Sequence, residues 1–101
     1  FRKVTEAGIT FRSHLDGSLH EYTPERVMRI ERNIGADVIM QLDELIAQPA
    51  EYAATQAAME RSLRWLERCR RAHETIALED PPSHPQSLFP IVQGGMHADL
   101  R

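Results

Sequence analysis

The chain has 101 residues, of which 42% are hydrophobic and 27% charged, and its formal net charge is −3. This composition is typical of a globular chain with a modest core and excludes an intrinsically disordered one. The acidic balance argues against a free-standing nucleic-acid-binding module, and a single cysteine, Cys69, excludes a disulfide framework and a local CxxC zinc motif. The sequence shows no signal peptide and no apolar run of membrane-spanning length. The lone cysteine suits a reducing cytoplasm.

Residues 1–22 are predicted to form an antiparallel β-ribbon, since short apolar segments there alternate with turn signals. The clearest signal is Asp16-Gly17, because Asp and Gly both tolerate the positive φ angles of a two-residue hairpin turn. His14 and His20 flank this turn. We interpret them as solvated ribbon residues and not as metal ligands.

A helix is predicted over residues 23–35. Thr23 can cap its first turn, and Pro24 suits the first helical position, where no N–H is needed. Gly35 is typical of a helix C-terminus. One apolar stripe of this helix is expected to face the core: it comprises Val27, Ile30 and Ile34.

Residues 37–93 are predicted to form a βαβ unit. The apolar run 37–42 indicates a strand buried on both faces. A long helix covers residues 51–74, and a proline-rich loop separates it from a second buried strand, 88–92. The two strands should lie parallel, joined by a right-handed crossover. Residues 94–101 are expected to form a Gly-Gly turn and then the start of the next helix.

The long helix presents an apolar face and a charged face. Its second half is rich in arginine, but interleaved glutamates favour a solvated face over an RNA-binding patch. Cys69 is interpreted as a small buried hydrophobe. The apolar face is predicted to have Trp65 at its margin and to bury six residues: Ala54, Ala57, Ala58, Leu63, Leu66 and Cys69.

Two planar polar side chains follow the two strands, Asp43 after VIMQL and Gln93 after LFPIV. In parallel α/β folds the ligand binds at the carboxyl ends of the strands, and neighbouring strands lie about 4.8 Å apart. The two side chains could therefore converge on one ligand. A carboxylate accepts two hydrogen bonds and a primary amide donates and accepts, which matches the edge of guanine and not that of adenine. Gly94 and Gly95 would let the backbone approach such a ligand.

The residues alone leave other interpretations of this edge open. Asp43 could instead cap the loop that follows the strand, and Gln93 could be purely structural. Gly94-Gly95 could be a simple strand-to-helix turn, since no GxGxxG or GxxxxGK[ST] pattern is present. None of the five histidines shows the spacing of a metal-binding motif.

Four segments resemble the tRNA-guanine transglycosylases, or queuine tRNA-ribosyltransferases, in the same order and at similar spacing: GITFRSHLDGSLHEYTPE, GADVIMQLDE, MERSLRWLERC and LFPIVQGGMHADLR. The resemblance covers nearly the whole chain. It implies an α/β fold in which residues 1–101 are part of a TIM-type (β/α)₈ barrel domain with an inserted antiparallel β-ribbon near its start. Because the chain begins at Phe1 and stops as a new element begins, we expect an interior fragment of a longer protein.

The resemblance also implies a function. The family exchanges the wobble guanine of certain tRNAs for a 7-deazaguanine base through a covalent ribosyl-aspartate intermediate. In the family, the Asp of the (L/F)-D-E motif and the Gln of the QG motif recognise the base, which maps substrate binding onto Asp43 and Gln93, with Gly94 beside them. The nucleophilic Asp and the ligands of a structural zinc are implied to lie outside this fragment. No catalytic or metal-binding residue is therefore expected within residues 1–101.

Partners and location follow from the same resemblance. The implied partners are tRNA, guanine and 7-deazaguanine bases, and a second copy of the full-length protein in a homodimer, with a cytoplasmic location and no membrane. The alternative is a non-catalytic partner subunit of the same family with a binding and assembly role. Leu45 stands where many bacterial members have a Cys, so the choice between queuine and its precursor stays open.

Overall fold

Two small β-sheets and two helices make up the structure, a computed structural model that describes residues 1–101. The first three strands form an antiparallel sheet in chain order, and the last two strands form a parallel pair. Neither helix is long and apolar enough to cross a membrane. In chain order, the elements are β1 (Arg2–Val4), β2 (Ile9–Arg12), β3 (Leu19–Tyr22), α1 (Pro24–Ile34), β4 (Val38–Met40), α2 (Tyr52–Glu79) and β5 (Ser87–Phe89).

The turn between β2 and β3 is longer than the two-residue hairpin that the sequence predicted. A main-chain hydrogen bond of 2.8 Å from Ser13 N to Ser18 O closes a loop over residues 14–17. Asp16 holds this wider loop because its carboxylate accepts from Ser18 N at 2.9 Å and from Ser18 Oγ at 2.7 Å. The predicted positive φ is present at Gly17, at 75°.

Helix α1 begins and ends at the predicted signals. Thr23 Oγ1 accepts from Arg26 N at 3.1 Å, and Pro24 occupies the first turn. Gly35 ends the helix in the left-handed region, with φ of 86°, and its N–H donates to Glu31 O at 3.1 Å. Local capping chemistry therefore sets both ends of this helix.

The buried side of α1 matches the predicted stripe only in part, since Val27 packs against the core but Ile34 does not. Met28 is fully buried, whereas Ile34 is 74% exposed. Met28 packs in one cluster with Ile39 of β4 and with Cys69 of α2. The core thus lies between α1, α2 and one face of the parallel strands.

The βαβ unit has the predicted parallel strands, with Ile39 of β4 paired to Leu88 of β5. Helix α2 and helix α1 cover one face of this pair, where Ile39 is 2% exposed. On the other face, Val38, Met40 and Phe89 are about half exposed. The prediction of strands buried on both faces is therefore wrong for residues 1–101, because only one layer of helices packs against them.

Helix α2 runs five residues beyond its predicted end and buries a different set of side chains. Trp65 lies at the centre of the buried face, fully buried, and its Nε1 donates to Glu6 O at 2.8 Å. Leu63, predicted to be buried, is 54% exposed. Cys69 is buried as predicted, and burial raises the pKa of its thiol to about 11. The full buried set of the helix is Thr55, Ala58, Ser62, Trp65, Cys69 and Ile76.

The loop between β1 and β2 fastens the antiparallel sheet to α2. Glu6 accepts hydrogen bonds from Arg64 at 2.9 Å and from Arg61 at 3.3 Å, and these bonds lower the pKa of Glu6 to about 2. Gly8 is buried here, and a Cβ at this position would lie 2.2 Å from Tyr22 O. The loop between β1 and β2, and with it this end of the antiparallel sheet, is thus held in a fixed position on α2.

The last segment of the chain is not the helix start that the sequence predicted. Residues 94–100 form two successive turns, closed by hydrogen bonds of 3.1 Å from His97 N to Gly94 O and from Leu100 N to His97 O. The hydroxyl of Tyr52, in the first turn of α2, donates to the carboxylate of Asp99. These contacts fold the segment back onto the N-terminus of α2.

Replacing Gly8 by alanine is expected to lower the free energy of unfolding of the full-length protein by about 2 kcal/mol or more, since the added methyl group meets a backbone oxygen that cannot move freely. Gly17→Ala is the control, because its Cβ would enter open space and only the positive φ costs about 1 kcal/mol. Denaturant unfolding of both variants measures the difference. Equal stability of Gly8→Ala and the native protein would contradict the close approach.

Candidate functional site

The structure brings Asp43 and Gln93 into direct contact. Strand β4 ends at Met40 and β5 at Phe89, so both side chains lie a few residues beyond the strands and not at their last positions. Gln93 Nε2 donates to Asp43 Oδ2 at 2.5 Å, and both residues are half-buried. A carboxylate and a primary amide therefore meet at the carboxyl-terminal edge of the parallel pair.

Burial shapes the electrostatics of Asp43. Its pKa is raised from the usual value of 3.8, because partial burial penalises the ionised carboxylate, and the hydrogen bond from Gln93 opposes this only in part. Gln93 Nε2 carries a second N–H, and its Oε1 remains an acceptor. The pair can thus offer hydrogen bonds of both kinds to a planar ligand.

Gln41 links the segments that precede Asp43 and Gln93, a role that the sequence analysis missed. Its side chain is 5% exposed; Nε2 donates to Ser62 O of α2 at 2.8 Å and Oε1 accepts from Ile91 N at 2.9 Å. The sequence pattern places Gln41 inside an apolar run. A lone amide inside the run VIMQL was the available signal, because a buried amide needs hydrogen-bond partners.

The loop after Asp43 is tied both to α2 and to the antiparallel sheet. Glu44 N donates to Ser62 Oγ at 3.0 Å, and Arg61 Nη1 bonds Glu44 Oε1 at 3.2 Å. The same guanidinium contacts Glu6, so one arginine links the sheet to the site loop. Arg2 Nη2 of β1 also donates to Leu45 O at 3.0 Å. These bonds restrict the loop that carries the carboxylate.

The glycine pair makes close packing of the chain on itself possible. Gly94 has φ of 134° and is buried, and a Cβ there would lie 2.7 Å from Arg101 Cγ and 2.8 Å from Arg101 N. Gly95 has φ of 55°, and its Cβ would lie 3.0 Å from Gln48 Nε2. The sequence analysis expected a ligand to approach the backbone at Gly94. On the side where a Cβ would point, Arg101 of this chain lies against Gly94.

The arginines of α2 are paired with carboxylates, as expected for a solvated face with interleaved glutamates. Each of the following bonds a glutamate: Arg61, Arg64, Arg68, Arg70 and Arg71.

A cleft of about 810 Å³ between α1 and α2, lined by side chains of both charge signs, lies away from Asp43 and Gln93. An apolar cavity of about 240 Å³ adjoins Gln93. We place the candidate site at Asp43 and Gln93 because a carboxylate and a primary amide meet there at the carboxyl-terminal edge of the parallel pair.

No group of three or more His, Cys, Asp and Glu side chains is gathered where it could hold a metal ion. His20 bonds Ser18 Oγ at 2.7 Å and stacks on Phe11, while Cys69 is buried alone in the core. The residues present therefore do not fit a zinc site.

Comparison with known proteins decides the family. The profile of the family described as queuine tRNA-ribosyltransferase matches residues 1–101. The chain belongs to the queuine tRNA-ribosyltransferase family. Proteins named queuine tRNA-ribosyltransferase are 53% identical to it in Ruminiclostridium cellulolyticum, 50% in Desulforamulus reducens and 51% in Synechococcus elongatus, each over 100 residues. The resemblance stated from the four sequence segments is thereby confirmed.

The match covers nearly all of this chain but a minor part of its relatives. The three alignments include 99% of the chain and 25%, 25% and 24% of the respective queuine tRNA-ribosyltransferases. The chain therefore spans about a quarter of the length of the curated relatives that it matches.

Asp43→Asn is expected to stabilise the full-length protein at neutral pH, since the buried carboxylate is harder to ionise than a solvated one. Because folding favours the protonated form of Asp43, this carboxyl contributes stability in acid. The contribution is fully present below the unfolded pKa of 3.8 and is lost as the pH rises through the folded pKa. The gain from Asn should thus be small in acid and grow to a plateau above the raised pKa. Chemical denaturation over a pH series measures it; a gain that does not change with pH would contradict the shift.

Proposed function

We propose that the full-length protein replaces guanine in tRNA by a 7-deazaguanine base, queuine or its precursor, and that residues 1–101 supply part of the base-recognition site. The observation that carries this proposal is the contact of Asp43 with Gln93 at the carboxyl-terminal strand edge, in a chain of this family. The names of the relatives support tRNA as the substrate class.

The paired side chains fit the edge of guanine. Asp43 accepts from N1–H and the 2-amino group, and the Gln93 N–H that does not bond Asp43 donates to O6. Adenine presents donors and acceptors in the wrong places, and each unpaired group would cost about 1–3 kcal/mol. Gly94 contributes backbone beside the base. A 7-deazaguanine base keeps the same edge, so one site serves the leaving and the incoming base.

The reaction itself requires a nucleophile outside these residues. An aspartate carboxylate attacks C1′ of the ribose as the bond from C1′ to N9 of guanine breaks, and N9 of the departing guanine takes up a proton from water. The incoming base then gives its ring N–H proton to water, and its ring nitrogen displaces the carboxylate from C1′. Asp43 and Gln93 hold each base in the plane required for these displacements. Residues 1–101 alone should therefore have no exchange activity.

The half-exposed face of the parallel pair supports a larger barrel in the full-length protein. Val38, Met40 and Phe89 would point into the interior of a TIM-type (β/α)₈ barrel, where branched and apolar side chains pack in layers. The antiparallel sheet would be an insertion in it. The structural zinc, held by residues outside this chain, the homodimer and the cytoplasmic location belong to the same proposal. The meeting of Asp43 and Gln93 favours this enzyme over a non-catalytic partner subunit.

Asp43→Ala in the full-length protein is expected to lower guanine exchange into tRNA by about 100-fold or more, because the base loses both of its carboxylate hydrogen bonds. Incorporation of labelled guanine into tRNA measures the rate. Asp37→Ala is the matched control, since Asp37 lies exposed at the opposite end of β4. Near-normal exchange by folded Asp43→Ala would refute the assignment.

A further inference from the structure

We propose that Gln41 is a positioning residue that sets the geometry between Asp43 and Gln93 and so contributes to selectivity for guanine. Its buried amide replaces one main-chain rung of the β4–β5 ladder and thereby lets the two side chains meet. The inference rests on the proposed function, because it concerns the same base-recognition pair.

A regular sheet would keep Asp43 and Gln93 apart. The last pair of the parallel register is Met40 with Phe89, so continued pairing would set Asp43 opposite Val92. Paired residues point to the same face of a sheet, and successive residues point to opposite faces. Gln93, one position after Val92, would then point away from Asp43. Their hydrogen bond of 2.5 Å therefore requires that the strands leave the regular register after Phe89.

Gln41 occupies the point of departure. Ser87 N donates to Asp37 O at 2.9 Å, and four residues further along both strands a parallel ladder would join Ile91 N to the main-chain oxygen of Gln41. The structure joins Ile91 N to the side-chain oxygen of Gln41 instead, at 2.9 Å. Because a side chain now spans the gap, the two segments are no longer held in the strand register where Asp43 and Gln93 follow.

Helix α2 fixes the amide that makes this substitution. Gln41 Nε2 donates to Ser62 O at 2.8 Å, and Ser62 Oγ accepts from Glu44 N at 3.0 Å. One turn of α2 thus holds both the side chain that receives Ile91 and the loop that carries Asp43. A side chain without the amide would leave Ile91 N–H without this acceptor and would free the segment that carries Gln93.

The opposite end of the same strand pair provides a matched control. Gln86 precedes β5, is 8% exposed, and donates through Nε2 to Ala36 O at 3.0 Å. Gln86 is therefore a second buried glutamine that bridges the segments of β4 and β5, but at the amino-terminal edge of the strand pair. Gln86→Met removes a comparable buried bond without touching the site.

The test compares Gln41→Met and Gln86→Met in the full-length protein, by guanine exchange into tRNA and by thermal unfolding. Gln41→Met is expected to raise the KM for guanine by about 10-fold or more, with a smaller change in kcat, and to lower the guanine-over-adenine ratio in competition. Gln86→Met is expected to lose stability while the KM for guanine stays within about twofold of the native value.

Three outcomes would overturn the proposal. The first is an unchanged KM and base ratio in folded Gln41→Met, and the second is an equal rise of KM in both variants. If Gln41→Met does not fold, Gln41→Glu decides by the same KM, since its carboxylate loses the bond to Ser62 O that fixes the side chain on α2, although it can still accept from Ile91 N. The third is a native full-length protein that exchanges no guanine, which removes the proposed function and this inference with it. Native exchange with an unchanged Gln41 variant removes the inference alone.

Discussion

The buried side-chain amide of Gln41 is the interaction on which the arrangement of the site depends. It joins the segment after β5 to the segment after β4 and to a carbonyl of α2, with 2.9 and 2.8 Å hydrogen bonds. Burying an amide is favourable only if its donor and acceptor both find partners, and these two partners belong to different elements. The amide therefore holds three parts of the chain in one relative position, two residues before Asp43 on one segment and two residues before Gln93 on the other.

A second set of contacts places the antiparallel sheet beside that site. The Glu6 carboxylate binds Arg61 and Arg64 of α2, and Arg61 also binds Glu44 in the site loop. These side chains are partly exposed, so each ion pair alone is worth little. Their effect is geometric, because Trp65 and the closely packed Gly8 give the same loop a buried anchor. The family's inserted sheet, as proposed, would thus stand next to the base-recognition residues.

Local signals made part of this structure predictable. Thr23 and Gly35 mark the ends of α1 because capping depends on neighbouring residues alone, and the apolar runs around an amphipathic helix predicted the parallel βαβ unit. Asp43 and Gln93 were found as a pair from their places after the strands, although regular pleating would have separated them. The role of Gln41, the wider loop at Asp16 and the turns after Gly95 depend on contacts between distant or competing groups, which a pattern of residue types does not encode.

The central claim is that Asp43 and Gln93 together bind one base edge. The most direct test is a crystal structure of the full-length protein with guanine bound. The account predicts guanine with N1–H and the 2-amino group on Asp43 and O6 on Gln93, while Gln41 still bridges Ser62 and Ile91. Guanine bound elsewhere, with the Asp43–Gln93 hydrogen bond undisturbed and no base contact to either side chain, would contradict it.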